Sequence, residues 1–262
     1  MIMGISSISY LSKQNRDMYR TYRSLASGKR INTASDNAAG LAIANKLKTR
    51  VGGTNVGISN SKTSQNMLNV ADGAIGSVTD SLQRIRELGI QASNGLYSAS
   101  DRSAIQAEID QLKESIGGIT SQTKFNEMNV LDGSMGSSHV ASNADGGGMN
   151  IDMPQFSLEG LGIADFDVTS NNFDVSAIDK ALEKVSAKRS YLGAAYNGLD
   201  HNIAYNTYAA YNLTAAQSRI EDTDYAQGAM DLKKQQVLNT YSIMMQRKMI
   251  NNADGQVRMM LG

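Results

Sequence analysis

Few residues in this chain have the types and spacing that chemistry demands. The two histidines, His139 and His201, are far apart in sequence, and neither sits in the H-x-x-x-H spacing that presents two ring nitrogens to one metal. Glu108 and Asp110 are two residues apart, whereas helical neighbours are three or four apart, so they do not form a paired acid and base. Glu221, Asp222 and Asp224 form an acidic cluster that suggests a cation site, but a solvated charge cluster at a helix junction is the simpler expectation. The run Gly146–Gly148 lacks the lysine and the strand-to-helix setting of a phosphate loop. With no cysteine there is no thiolate nucleophile, disulfide or thiolate metal site. The sequence predicts no enzyme and no cofactor.

Composition narrows the class further. Lys+Arg and Asp+Glu balance at 25 each, so no basic surface argues for nucleic acid. No apolar run approaches the ~20 residues of a membrane-spanning helix, which argues against membrane insertion. The first twenty residues lack the basic start and unbroken apolar core of a secretory signal, and composition alone would suit the cytoplasm. Aromatic residues are 6% of the chain and tryptophan is absent. That supply is thin for a compact enzyme core, and it suits long helices whose surfaces face solvent or neighbours.

The elements follow from periodicity. Apolar residues at Ile5, Ile8, Leu11, Met18, Tyr22 and Leu25 predict an amphipathic helix over 1–27, with one break in the pattern at Asn15. A polar segment follows, with Ser35 or Asp36 as the expected N-cap of the next helix. From Leu41 to Leu96 a narrow stripe (Leu68, Ala71, Ile75, Val78, Leu82, Ile85, Leu88, Ala92, Leu96) predicts a coiled-coil seam. At 1.5 Å per residue that helix would span roughly 80 Å. Gly52 and Gly53, with Gly57, mark a place where it bends or breaks. A turn at Asn94-Gly95 leads to an antiparallel helix carrying Ile105, Ile109, Leu112, Ile116 and Ile119.

Residues 125–175 change character. Asp132-Gly133 is a turn dipeptide, and 133–148 is Gly/Ser-rich without periodicity, which predicts a flexible loop. Met149, Ile151 and Met153 alternate as a strand does, and Phe156, Leu158, Leu161, Ile163, Phe166 and Val168 are expected to supply further short strands. Then Ile178, Val185, Leu192, Leu199, Asn206, Leu213 and Ile220 recur seven apart, with small Ala181, Ala195, Ala209 and Ala216 between them. This predicts a long coiled-coil-like helix. Asn206 either fixes register as a buried polar residue or faces solvent at a change of register. A final amphipathic helix carries Met230, Val237, Tyr241 and Met244. The fold class is mainly α: a long antiparallel coiled-coil-like helical bundle with paired terminal helices and a small β-hairpin region.

Four motifs in order give the chain a resemblance. LASGKRINTASDNAAGLAIA (25–44), SLQRIRELGIQASNG (81–95), DRSAIQAEIDQLKESI (101–116) with QTKFNEMNVLDG (122–133), and SRIEDTDYA (218–226) together resemble the bacterial flagellins. The resemblance reaches both ends and most of the chain, and 125–175 implies a short form with a minimal variable region.

This resemblance implies a division into 1–40 (inner-tube helix and connecting spoke), 41–124 (outer-tube helices), 125–175 (short variable region), 176–220 (outer-tube helix) and 221–262 (C-terminal inner-tube helix). It also implies a motility filament outside the cell, the bacterial flagellum. The subunit would be exported unfolded through the flagellar type III channel, and its terminal helices would order on assembly. The implied partners are copies of the chain, an export chaperone, cap and junction proteins, and a host innate-immune flagellin receptor, a Toll-like receptor. Residues matching the receptor-contact segments are Gln83, Arg84, Glu87, Leu88 and Glu108. The expected assembly seams are Ile5, Ile8, Leu11, Met18, Tyr22, Leu25, Val237, Tyr241 and Met244. Alternatives are a hook–filament junction protein, or a secreted helical ligand that does not polymerise. The MIMGISSISYLS start and the Met-rich end depart from the familiar pattern of the family.

Overall fold

The computed structural model describes residues 2–170 and 172–261; the side chains of residues 2–8, 254, 257, 258, 260 and 261 lie outside the description, and with them the expected seam residues Ile5 and Ile8. The elements are α1 (Ile2–Ser27), α2 (Ala34–Ala92), α3 (Ala99–Gln122), β1 (Lys124–Phe125), β2 (Met128–Asn129), β3 (Ser137–Ala141), β4 (Gly148–Asp152), α4 (Leu158–Leu161), α5 (Ser176–Glu221) and α6 (Tyr225–Leu261). The contacts divide into two units, one of residues 51–210 and one joining residues 1–50 to 211–262. Helices α2 and α5 contribute residues to both.

The unit of residues 51–210 is built on the seams that the periodicity predicts. Ile75, Val78, Leu82 and Ile85 of α2, Ile109 and Ile116 of α3, and Ile178, Val185 and Leu199 of α5 are all buried in one core. Burying each such side chain stabilises by about 1.5–3 kcal/mol. Ala181 and Ala195 are buried with them, small enough to let the helices approach. Leu96 does not continue the seam. Helix α2 ends at Ala92, and Leu96, in the turn beyond, is 91% exposed. Helix α3 then starts in a reciprocal cap, the Ser98 hydroxyl on the Asp101 N–H and the Asp101 carboxylate on the Ser98 N–H.

Helix α2 does not break at Gly52–Gly53; its only non-helical dihedrals are at Asn37. The glycines answer a different demand. A methyl at Gly57 would overlap the Ser142 carbonyl, and one at Gly53 would lie 2.8 Å from the Ala144 carbonyl. They let the backbone of the β3–β4 turn rest directly on α2. Asn206 settles on the buried alternative: it is 5% exposed, and its side-chain amide donates to the Ser142 carbonyl at 2.8 Å. Asn60 of α2 donates to the Ala141 carbonyl at 2.9 Å.

Two expectations for 125–175 are corrected. The Gly/Ser run contains a strand, β3, paired antiparallel with β4 from Ser137↔Asp152 to Ala141↔Gly148. The partner's ladder, with Val140 and Ile151 buried, decides this where local sequence is uninformative. Residues 156–168 form no strands. They fold as the short α4, capped by Ser157 and closed by Gly162 at φ +81, followed by turns. Phe156, Leu161, Ile163, Phe166 and Val168 still enter the core, at spacings that keep no single period.

The other unit pairs α1 with α6. Leu25 packs on Gly228, where a methyl would lie 2.8 Å from Leu25 Cδ2.

Candidate assembly surface

Three features of the chain could meet a neighbour: the joint between its terminal segments, the terminal helix pair, and a charged face on α2 and α3.

The joint forms where the chain leaves α1 and enters α6. Gly28, at φ +71, turns the chain out of α1 in a conformation that a side chain would strain. Lys29 then bridges Asp222 antiparallel. The Arg30 N–H donates to the Glu221 carbonyl at 2.7 Å and the Thr223 N–H to the Gly28 carbonyl at 3.0 Å. The Lys29 ammonium meets the Glu221 carboxylate at 2.6 Å. Hydrogen bonding from Gln217 and the Lys29 ammonium hold the Glu221 carboxyl below its ordinary pKa, against the burial that raises it. The expected solvated acidic cluster is therefore corrected for Glu221, which is buried, while Asp222 and Asp224 are exposed. Among the described residues no group of three or more His, Cys, Asp or Glu could hold a metal.

Asp36 organises the start of α2. Its carboxylate accepts the backbone N–H of Asn32 at 3.1 Å and of Thr33 at 3.0 Å, and Arg23 of α1 reaches it at 3.0 Å. Burial pushes the Asp36 carboxyl up, but these backbone N–H groups, the Thr33 hydroxyl and Arg23 outweigh it and hold the carboxyl below its usual range. Neither Ser35 nor Asp36 caps the continuous helix. Asn37 does: its extended backbone (φ −164, ψ 99) precedes the regular run, and its side-chain oxygen accepts the Gly40 N–H at 2.8 Å. Asp36 instead folds back over the residues before it, which local sequence alone does not distinguish from capping.

The terminal pair has a mixed apolar and polar seam. Between α1 and α6 lie amides and hydroxyls: Gln235 donates to the Thr21 hydroxyl at 3.2 Å, Asn239 donates to the Asn15 side chain at 3.0 Å, and Gln14 is buried. The Asn15 that interrupts the apolar pattern of α1 thus faces α6. Of the expected seam residues, Leu11, Met18 and Leu25 are half-buried. Tyr22 is 61% exposed, Val237 68%, Tyr241 62% and Met244 62%. Tyr10, Tyr19, Met230 and Ile250 are exposed as well.

On the charged face, Arg84 is held as a fork. Its Nε and Nη2 donate to one Glu108 oxygen at 2.9 and 2.7 Å, and Nη1 donates to Glu87 at 3.1 Å. Its hydrogen bonds to Glu108 first, then to Glu87, raise the guanidinium pKa. Arg84, Glu87 and Glu108 are exposed together, and Gln83 is exposed on the same helix. Leu88 does not belong with them: it is 2% exposed, because it continues the Ile85–Ala92 seam. Sequence reasoning missed the ion pairs Arg86–Asp179 at 2.6 Å and Arg189–Asp72 at 2.7 Å, which join α2 to α5 across separations that no local pattern reports.

Comparison with known proteins finds relatives over most of the chain. Residues 1–135 match the bacterial flagellin N-terminal helical region, and residues 175–257 match the bacterial flagellin C-terminal helical region. A flagellin of Treponema pallidum is 35% identical over 248 residues, covering 87% of each chain. A flagellar filament core protein of Brachyspira hyodysenteriae is 34% identical over 263 residues, covering 93% of this chain and 92% of that one. The crystal structure of Bacillus cereus flagellin superposes with a TM-score of 0.51 at 28% identity, covering 61% of this chain and 94% of that one.

Proposed function

The chain belongs to the bacterial flagellin family, and on that premise we propose that it is the repeating subunit of an extracellular flagellar filament, assembled through its terminal helix pair. The observation that carries this reading is the apolar surface that α1 and α6 leave outside their mixed seam, with Tyr22, Val237, Tyr241 and Met244 exposed. An apolar face that the chain does not bury itself gains its stabilisation from other copies. Contacts between unlike surfaces, repeated by a rotation that does not close, generate an open helical polymer. In this reading the terminal pair lines an inner tube and residues 51–210 form an outer one. The chain leaves the cell unfolded through the flagellar export channel with the help of a chaperone, meets cap and junction proteins at the filament ends, and orders its terminal helices on assembly.

Seeded polymerisation of the purified chain, viewed by electron microscopy beside a truncation lacking 1–27 and 232–262, tests this reading. Long filaments from the intact chain and none from the truncation are expected. Failure of both, with the intact chain already fully helical and protease-resistant, would move the assignment to a junction protein or a soluble ligand.

A second reading rests on the exposed Arg84–Glu87–Glu108 cluster, which matches the family's receptor-contact segments. We propose that the free subunit engages the host flagellin receptor through this face. Arg84→Ala with Glu108→Ala should weaken receptor binding and leave the far-UV spectrum of the subunit unchanged. Full binding by the double variant would remove this face from consideration.

A further inference from the structure

The β1–β2 turn departs from the chemistry that its geometry prefers. Asn126 and Glu127 both have positive φ, +50 and +67, as a two-residue hairpin of the I′ type requires. Its second position favours glycine. Asparagine tolerates the left-handed region; glutamate does so at a cost. No contact among the described residues compensates that cost. Glu127 is exposed and makes no hydrogen bond or ion pair among the described residues. Beside it Met128 is 49% exposed. The turn therefore presents a carboxylate next to an apolar side chain, at the rim of a cavity of about 320 Å³ that they share with Lys124, Ser134 and Met135.

Residues 51–210 also hold a groove of complementary character. It has a volume of about 400 Å³ and is lined by Phe156, Leu161, Lys184, Ala187, Lys188 and Tyr191, with the backbone of Gln155 and Gly160 beside them. Its walls are fixed. The Lys184 ammonium donates to the Gly160 carbonyl at 3.1 Å, and the Tyr191 hydroxyl accepts the Asp152 N–H at 3.1 Å. Lys188 lies 5.3 Å from the centre of the Tyr191 ring and forms no ion pair among the described residues. A second cavity, of about 450 Å³, is rimmed by Glu159, Asp165, Asp167 and Asp174 and would repel a carboxylate. A third has its one cation, Arg189, already paired with Asp72.

We propose that Glu127 and Met128 of one subunit dock in the Lys184–Lys188–Tyr191 groove of a neighbouring copy, the carboxylate meeting Lys188 and the thioether the apolar wall. The occupant is a second copy because both halves of the match, acidic-apolar knob and basic-apolar groove, are carried by this one chain. Knob and groove are unlike surfaces, as an open polymer requires. This inference rests on the filament-subunit reading.

The test is seeded growth of the full chain and four variants. Glu127→Lys and Lys188→Glu should each raise the critical concentration about three- to fivefold, and the double variant carrying both should return to within about twofold of the parent. Glu127→Gly should raise the melting temperature of the unassembled subunit by about 2–4 °C while weakening growth, a separation that a folding defect does not produce. Because the chain has no cysteine, mixed filaments of Glu127→Cys and Lys188→Cys subunits report the contact directly: oxidation should yield disulfide-linked dimers that the unassembled mixture does not form. Growth of the charge variants like the parent, failure of the double variant to recover, or absence of the crosslink overturns the contact alone. A parent that does not elongate seeds overturns the filament reading and this inference with it.

Discussion

Residues 51–210 and the terminal pair divide the same apolar alphabet differently between inside and outside. In the first, Ile109 and Ile116 are fully buried, and charges such as Arg84 and Glu108 lie outside. In the second, Gln14 is buried and Gln235 and Asn239 bond across to α1, while Tyr241 and Met244 are exposed. The difference teaches that helical periodicity announces a seam without saying whose side chains will fill it. One unit buries its apolar face within the chain and the other leaves much of its own exposed.

The sharpest way to break this contrast is a pair of substitutions. Tyr241→Ser with Met244→Ser should abolish seeded growth and leave the melting of the unassembled subunit within about 0.5 kcal/mol of the parent, as for a surface change. Ile109→Ala should instead cost about 2–5 kcal/mol of stability through the cavity it leaves, visible in chemical denaturation. Stability effects of the opposite order would reverse the assignment of inside and outside. Gly57→Ala refines the picture within residues 51–210. Its methyl would overlap the Ser142 carbonyl, so the β3–β4 turn must lift from α2, a loss of about 1–3 kcal/mol; amide exchange should quicken in 141–148 and leave α3 protected.

The smallest effect concerns the joint and pH. Asp36 and Glu221 both have lowered carboxyl pKa values. Depressed folded values mean that their contribution is fully present above the ordinary carboxylate range near 4 and fades as pH falls through the folded values. Acidification from about pH 5 downward should therefore loosen residues 28–36 and 221–224, followed by amide exchange. Lys29→Gln should shift the onset of that loosening to higher pH. An onset unmoved by the substitution would show that the Lys29 pair does not govern the joint.

Much of residues 51–210 is legible in sequence because its core obeys a single period. Ile105, Ile109 and Ile116 on α3 and Ile178, Val185, Leu192 and Leu199 on α5 fall where steps of three, four and seven put them. The illegible parts are those fixed by distant partners. Gly53 and Gly57 read as weak points in a helix, yet they are seats for a turn some ninety residues away in sequence. β3 hides in a Ser/Gly run because only its pairing with β4 makes it a strand. Asn206 could be read either way until the Ser142 carbonyl supplied its partner. In the candidate surface, the Arg84–Glu108 pairing follows from two helices lying antiparallel. Leu88 has two readings in sequence, one with the exposed residues of its motif and one with the seam, and its burial selects the seam.

The joint between Lys29 and Glu221 joins residues separated by 192 positions. A loop that long adds only slowly to the closure entropy, but it imposes an order of events. Whichever end of the chain emerges first must wait, with its half of the joint open, until nearly the whole sequence has appeared. The ion pair and its backbone bridge thus need both ends of the chain: a chain lacking either terminal segment has no way to close them.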